Sequence, residues 1–202
     1  MAPEPVAAER AYQRLKSDLV SGRYRPGTVL VERVIAQEFG VSVSPVRDGA
    51  QRLVGEGLLE VASGGGYRIP MMTHIMLRDL YTWHSHLLRL VVKSDLDIVP
   101  AFQSDAQALS DDPAAIARLT TELFRTLARQ SRNGEYTRAL LAANDRLHPV
   151  RLREGHVLAN LTSELLAVMT STIFGSGPDR LAGILAYHRR RLRRVNKIVE
   201  VL

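Results

Sequence analysis

The segment Val41-Ser-Val-Ser-Pro-Val-Arg-Asp-Gly-Ala-Gln51 carries the side chains best suited to chemistry with a polyanion. If Ser44 caps a helix and Pro45 takes its first position, where a missing N–H costs nothing, then Val46, Ala50, Leu53 and Val54 form an inward stripe. Ser44, Arg47, Asp48 and Gln51 are left facing outward near the helix start. A helix N-terminus favours phosphate through its free N–H groups. An arginine there can grip guanine O6 and N7 through two parallel hydrogen bonds, worth about 1–3 kcal/mol of discrimination.

The second candidate chemistry lies in the histidines. His84, His86, His148, His156 and His188 are numerous enough to suggest a metal site. His84 and His86 are two apart, however, and face different sides of a helix. No HxxxH pair and no suitably spaced carboxylate supports a zinc set. No nucleophile elbow, phosphate loop or carboxylate dyad is present either, so the expectation is a protein that is not an enzyme and carries no metal or cofactor. The run His188-Arg-Arg-Arg-Leu-Arg-Arg194 is the densest charge cluster. It reads either as a second patch for DNA phosphates or as a solvated or dimer-rim face.

The elements that must position these groups follow from periodicity. Tyr12, Leu15 and Leu19 recur at helical spacing, which predicts an amphipathic helix over 8–21 with Gly22 at its end, preceded by a flexible arm over 1–7. Arg25-Pro26-Gly27-Thr28 predicts a turn, and Val31–Phe39 a short helix closed by Gly40. After Gly57 the pattern alternates through Leu59 and Val61, reaches Ser63-Gly64-Gly65-Gly66, and resumes at Tyr67 and Ile69. That is a β-hairpin with a glycine tip able to approach a minor groove or a phosphate. Two short helices, a recognition helix and a hairpin make a winged helix-turn-helix over 8–70.

Beyond Pro70 glycines thin out and Leu/Ala/Arg-rich helical patterns take over, placing a boundary near Ile69–His74. Helices are predicted at 75–95, 113–131, 134–172 with a break near Pro149 or Gly155, and 178–200. The fold class is therefore mainly α: a winged helix-turn-helix followed by an all-helical bundle over 75–202. With 46% apolar residues the chain can bury a real core, and it holds no apolar run long enough for a membrane span. Zero cysteines and no signal-like N-terminus fit a cytoplasmic protein, and 27 Lys+Arg against 21 Asp+Glu suit a polyanionic partner.

Several of these strings occur together and in order. The run Arg25-Pro26-Gly27, then Gly40-Val41-Ser42-x-Ser44-Pro45-Val46-Arg47, then Leu53-x-x-Glu56-Gly57-Leu58, then the glycine wing, resembles the GntR family of bacterial regulators. The resemblance implies double-stranded DNA as partner, with contacts at Arg33, Ser42, Ser44, Pro45, Arg47, Gln51 and Gly65. Two positions depart from the family's pattern: Val43 stands where an arginine that contacts bases is often found, and Gly49 replaces a usual alanine.

The helical half resembles the effector domain of the FadR-type subgroup, which implies dimerisation and a small-molecule effector. In many members that domain holds a metal through one Asp and two or three His. Here Thr121 and Arg125 stand where an Asp and a His ligand are expected, and only His188 matches a later histidine. The implied effector residues are Tyr81, His84, Arg125 and His188, with Arg125 supplying charge directly to an anionic ligand or else sitting on a solvated face or in an ion pair. The implied function is a homodimeric repressor whose operator binding is modulated by a small, anionic metabolite. The alternative is a constitutive DNA-binding protein that has lost its ligand response.

Overall fold

In the computed structural model, residues 4–93 and 111–202 are described; they fall into two compact units, Met1–Met72 and Thr73–Leu202. In the first unit, helix α1 (Glu4–Val20) buries Ala11, Tyr12, Leu15 and Leu19. It begins inside the expected flexible arm, because Pro5 falls in the first turn, where no N–H partner is needed, and Ala7 and Ala8 favour helix. Gly22, at φ 72°, follows its end. The Arg25–Thr28 turn closes through Thr28 N–H to Arg25 O at 3.1 Å, with Gly27 at φ 83°.

Strand β1 (Val29–Leu30), too short to show alternation in the sequence, leads into α2 (Glu32–Phe39). Gly40, left-handed at φ 67°, ends α2 and begins the turn into α3 (Val43–Gly55). The α3 N-cap is Ser42, not Ser44, so Pro45 stands at the third helical position, still among the N–H groups that lack an intrahelical partner. Strands β2 (Glu60–Val61) and β3 (Tyr67–Arg68) form the expected hairpin. The sheet is antiparallel in the order β1-β3-β2, pairing Leu30 with Tyr67 and Val61 with Tyr67.

The core of this unit is one cluster in which α1 crosses α3. Leu15 and Leu53 are almost fully enclosed, each contributing about 1.5–3 kcal/mol of apolar transfer. The crossing is tight at Gly49, where a Cβ would lie 3.0 Å from both the N and Cα of Tyr12. Gly49 is therefore a packing requirement, and its helix cost is offset by close approach of two backbones.

The second unit is helical throughout its described residues. Helix α4 (His74–Lys93) packs on α6 and α8, while residues 94–95 of the helix expected over 75–95 lie outside the described residues. Helix α5 (Pro113–Gln130) is capped by Asp112, whose carboxylate accepts from the N–H of Ala114 and Ala115. Helix α6 (Gly134–Glu154) is capped by Asn133 and contains Pro149 in its interior, so the chain breaks at Gly155 rather than at the proline. Asn160 at φ 54° starts α7 (Leu161–Phe174), a left-handed position that asparagine tolerates.

Helix α8 (Gly177–Leu192) opens with a capping box between Ser176 and Asp179. The helix expected over 178–200 is interrupted at Arg194, and α9 (Val195–Val199) is a separate short helix.

Candidate nucleic-acid interface and ligand site

The start of α3 presents Ser42, Ser44, Arg47 and Gln51 to solvent, and Arg33 is exposed on α2. Pro45 is not part of this surface: its side chain is buried, so its role is to shape the helix start. Arg47 is held in a two-point ion pair by Glu32, Nε to Oε1 at 3.2 Å and Nη2 to Oε2 at 3.0 Å, yet its side chain remains 59% exposed. The hydrogen bond from Arg47 holds the Glu32 carboxyl below the usual carboxylate range. Gln51 Nε2 donates to Tyr67 Oη at 3.1 Å and so ties α3 to the wing. Glu32 and Tyr67 thus restrain Arg47 and Gln51, a role the sequence pattern does not display.

Glu56, from the Leu53-x-x-Glu56-Gly57 string, accepts from Tyr12 Oη at 2.5 Å and from Lys16 Nζ at 2.7 Å. It pins α1 to the end of α3. At the wing tip Gly65 is exposed, with φ 92° and open space around its Cβ direction. Gly66 is the constrained member of the pair, since a Cβ there would meet Leu30 O at 2.5 Å. Val43 is half-buried against the core cluster and faces no reading position.

The sequence-derived ligand residues of the second unit are sorted differently. His84 and His188 meet in the interior, Nδ1 to Nε2 at 2.9 Å. His188 Nδ1 donates to Ile184 O at 2.7 Å, so its Nε2 accepts from His84 and the His84 Nε2 lone pair is left without a partner. Burial, aided by Arg191 and Arg151, lowers the His188 imidazole to about 3, despite the bond to Ile184. Burial, then the neighbouring His188 and Arg151, lowers His84 as well.

Tyr81 belongs to a buried ion network rather than to that pair. Its hydroxyl donates to Glu154 Oε1 at 2.5 Å, and Glu154 also takes Arg191 Nε at 3.0 Å and Nη2 at 2.7 Å. Burial alone would raise the Glu154 carboxyl, but the charge and hydrogen bonds of Arg191 hold it low. Arg125 is engaged by Glu122 at 2.8 Å and Asp145 at 3.2 Å, so its charge is already matched.

A second interior cation beside Arg191 is Arg151 on α6, 2% exposed, donating to Thr121 Oγ1 and Asn144 Oδ1 at 2.8 Å and to Tyr187 Oη at 3.1 Å. Its Nη2 has no hydrogen-bond partner. Phe124 separates the two unmatched groups, its ring centre 5.0 Å from the His84 ring and 5.4 Å from the Arg151 Cζ. Arg151 continues the inward stripe of Asn144, Leu147 and His148 along α6, the signal that could have located it.

A metal set of the kind the resemblance implies does not fit these residues. Thr121 is spent on Arg151 and on His148 Nδ1 at 2.8 Å, Arg125 is a cation, and both His188 nitrogens are occupied. Among the described residues no three His, Cys, Asp or Glu converge, and no helix is long and apolar enough to cross a membrane.

Residues 7–69 match the family described as bacterial regulatory proteins, gntR family. Over 92% of this chain and 79% of the relative, the sequence is 25% identical to YdhC of Bacillus subtilis, described as an uncharacterised HTH-type transcriptional regulator. GlaR of Escherichia coli, an HTH-type transcriptional repressor, is 27% identical over 40% of this chain and 37% of its own length. Among solved structures, Escherichia coli McbR/YncC aligns with a TM-score of 0.70 at 16% identity, covering 98% of this chain and 99% of that one. The amino-terminal unit is thus similar to the gntR family over residues 7–69, and the relatives that the sequence resembles are described as HTH-type transcription regulators.

Proposed function

We propose that this chain is a sequence-specific, homodimeric, cytoplasmic repressor whose α3 enters the major groove. Arg33, Ser42, Ser44, Arg47, Gln51 and the Gly65 wing tip contact the duplex. The observation that carries the reading is the exposed Arg47 at the α3 start, aligned by Glu32 beside a Gln51 fixed to the wing. Dimerisation is supported by Met76, Trp83 and Leu90 on α4, exposed apolar side chains seven residues apart that make one stripe down a helix face. Selection of bound sequences from random duplex DNA tests the proposal. An inverted repeat with half-sites about 34–36 Å apart is expected. Failure to enrich any motif would overturn it.

The second unit, residues 75–202, serves as the effector and dimerisation domain. Its interior offers an unmatched N–H on Arg151 and an unmatched lone pair on His84 across Phe124. The chemistry of these two groups supports a small hydroxy-carboxylate as the effector, its carboxylate accepting from Arg151 and its hydroxyl donating to His84 once Phe124 is displaced. The constitutive reading is favoured by Tyr81, Glu154 and Arg191, which satisfy one another's hydrogen-bonding groups. Thermal unfolding with hydroxy-carboxylates and their deoxy analogues separates the two. A compound that stabilises wild type but not Arg151→Gln, and weakens operator binding, supports the responsive form.

A further inference from the structure

Two grooves flank the carboxyl-terminal end of α8 and share its arginines. One, of about 510 Å³, has apolar residues including Leu158 and Ala186 in its lining, and Arg189, Arg190, Arg193 and Arg194 beside them. The other, of about 410 Å³, reuses Arg189 and Arg193 and adds Arg89 and His86 from α4. No carboxylate lines either groove. Arg190 is neutralised by Glu164 at 3.3 Å and donates to Ala159 O, whereas the exposed Arg189, Arg193 and Arg194 have no hydrogen-bond or ion-pair partner among the described residues.

The α8 dipole favours cations in its last turn, which accounts for Arg189 and Arg190. Arg193, the C-cap residue, and Arg194 next to it lie at the same negative end, but the dipole does not account for the return of Arg89 from a different helix to the adjoining groove. Guanidinium groups brought together without counter-charges repel one another, and a multivalent anion would relieve this. The volume of the first groove lies within the roughly 300–1,000 Å³ of small-molecule sites. A DNA backbone, clothed in water, has no use for the apolar residues beside the arginines.

We propose that this arginine groove on α8 is a second ligand site, separate from the interior one, for an organic polyphosphate of the nucleoside di- or triphosphate class. The phosphates lie across Arg189, Arg193 and Arg194, and the base packs on Val157 and Ala186. The assignment is independent of the proposed interior effector.

Titration calorimetry of the full chain with ADP, and separately with inorganic pyrophosphate, tests it at fixed salt. Wild type is expected to saturate with both. Arg189→Gln/Arg193→Gln/Arg194→Gln, all at exposed positions, should weaken ADP at least tenfold. Ala186→Trp, which fills the groove and leaves the charges in place, should weaken ADP at least fivefold and leave pyrophosphate within twofold. Melting followed by far-ultraviolet circular dichroism verifies that both variants are folded. The proposal is overturned by absence of ADP binding at millimolar concentration, or by an unchanged ADP affinity in either variant. A triple variant that lowers only the salt slope of DNA binding reassigns the patch to nucleic acid and overturns it equally.

Discussion

Removing the carboxylate of Glu154 leaves Arg191 as a guanidinium enclosed in protein. Both side chains are 3% exposed, and the pair is joined through Nε and Nη2. Breaking a buried pair from one side costs about 3–5 kcal/mol, because the remaining charge loses its counter-ion without regaining water. Here Glu164 stays in place at 2.9 Å from Arg191 Nη1, which puts Glu154→Ala at the lower end, about 3 kcal/mol. For a unit the size of Thr73–Leu202 that corresponds to a fall in Tm of about 10–15 °C. Glu154→Gln keeps an acceptor for Tyr81 and should lose about 2 kcal/mol. The double variant Glu154→Leu/Arg191→Met removes both charges and should recover about half of the single-variant loss. Trp83, the only tryptophan, sits on α4 of this unit and reports its unfolding selectively. A Glu154→Ala loss below about 1 kcal/mol, or strictly additive effects in the double variant, refutes the reasoning.

Three further outcomes follow from other parts of the molecule. Glu32→Gln frees Arg47 in the unbound protein, so the salt dependence of operator binding should steepen by about one phosphate contact; an unchanged slope and affinity in fluorescence anisotropy counts against a DNA role for Arg47. Gly49→Ala gains about 1 kcal/mol of helix propensity but drives a methyl against the Tyr12 backbone, so a net loss of about 1 kcal/mol is expected; equal or greater hydrogen-exchange protection of α3 would contradict it. His188, held near 3 by burial, and His148, held near 4 by burial and by Arg151 and Arg125, are neutral when folded and bind protons more readily when unfolded. Their stabilisation is complete above pH ~6.5 and is lost as pH falls toward 4, by up to about 1.4 kcal/mol per pH unit for each histidine; urea unfolding of His188→Gln followed at Trp83 should show a shallower pH slope than wild type.

Legibility in the sequence varied with how local the signal was. The α1, α2 and α3 stripes, the Arg25–Thr28 turn and the glycine wing each depend on a few neighbouring residues, and each could be read. Strand β1 has two residues and exists through pairing with Tyr67 and Arg68, so no local pattern marks it. Ser42 rather than Ser44 takes the N-cap position of α3, and it does so without a capping hydrogen bond from its side chain, so propensity does not choose between the two serines. In the second unit the arginine run reads as a surface cluster, either a patch for DNA phosphates or a solvated or dimer-rim face, yet Arg191 is 2% exposed. It continues the buried stripe of Ile184, Tyr187 and His188, and its Glu154 partner comes from 37 residues away. Arg125 and Arg151 likewise differ only in what α6 and α5 place opposite them.

The two departures in the recognition region act on different things. Gly49 lies on the buried side of α3, where it sets how closely α1 can approach, and so it fixes the pose of the helix without touching a base. Val43 is the first residue of α3, and its side chain packs against the cluster formed by α1, α2 and the sheet. Val43 contributes apolar burial there, and in the proposed function the base contacts of α3 fall to Arg47 and Gln51. Both of those are restrained from unit 1 itself, by Glu32 and Tyr67. A reader pre-positioned in this way loses less side-chain entropy on binding, about 0.5–1.5 kcal/mol for each immobilised chain. In the proposed function that gain offsets part of what an arginine at position 43 would contribute, and specificity would rest on the α2–α3 pair and the wing rather than on the residue that begins the helix.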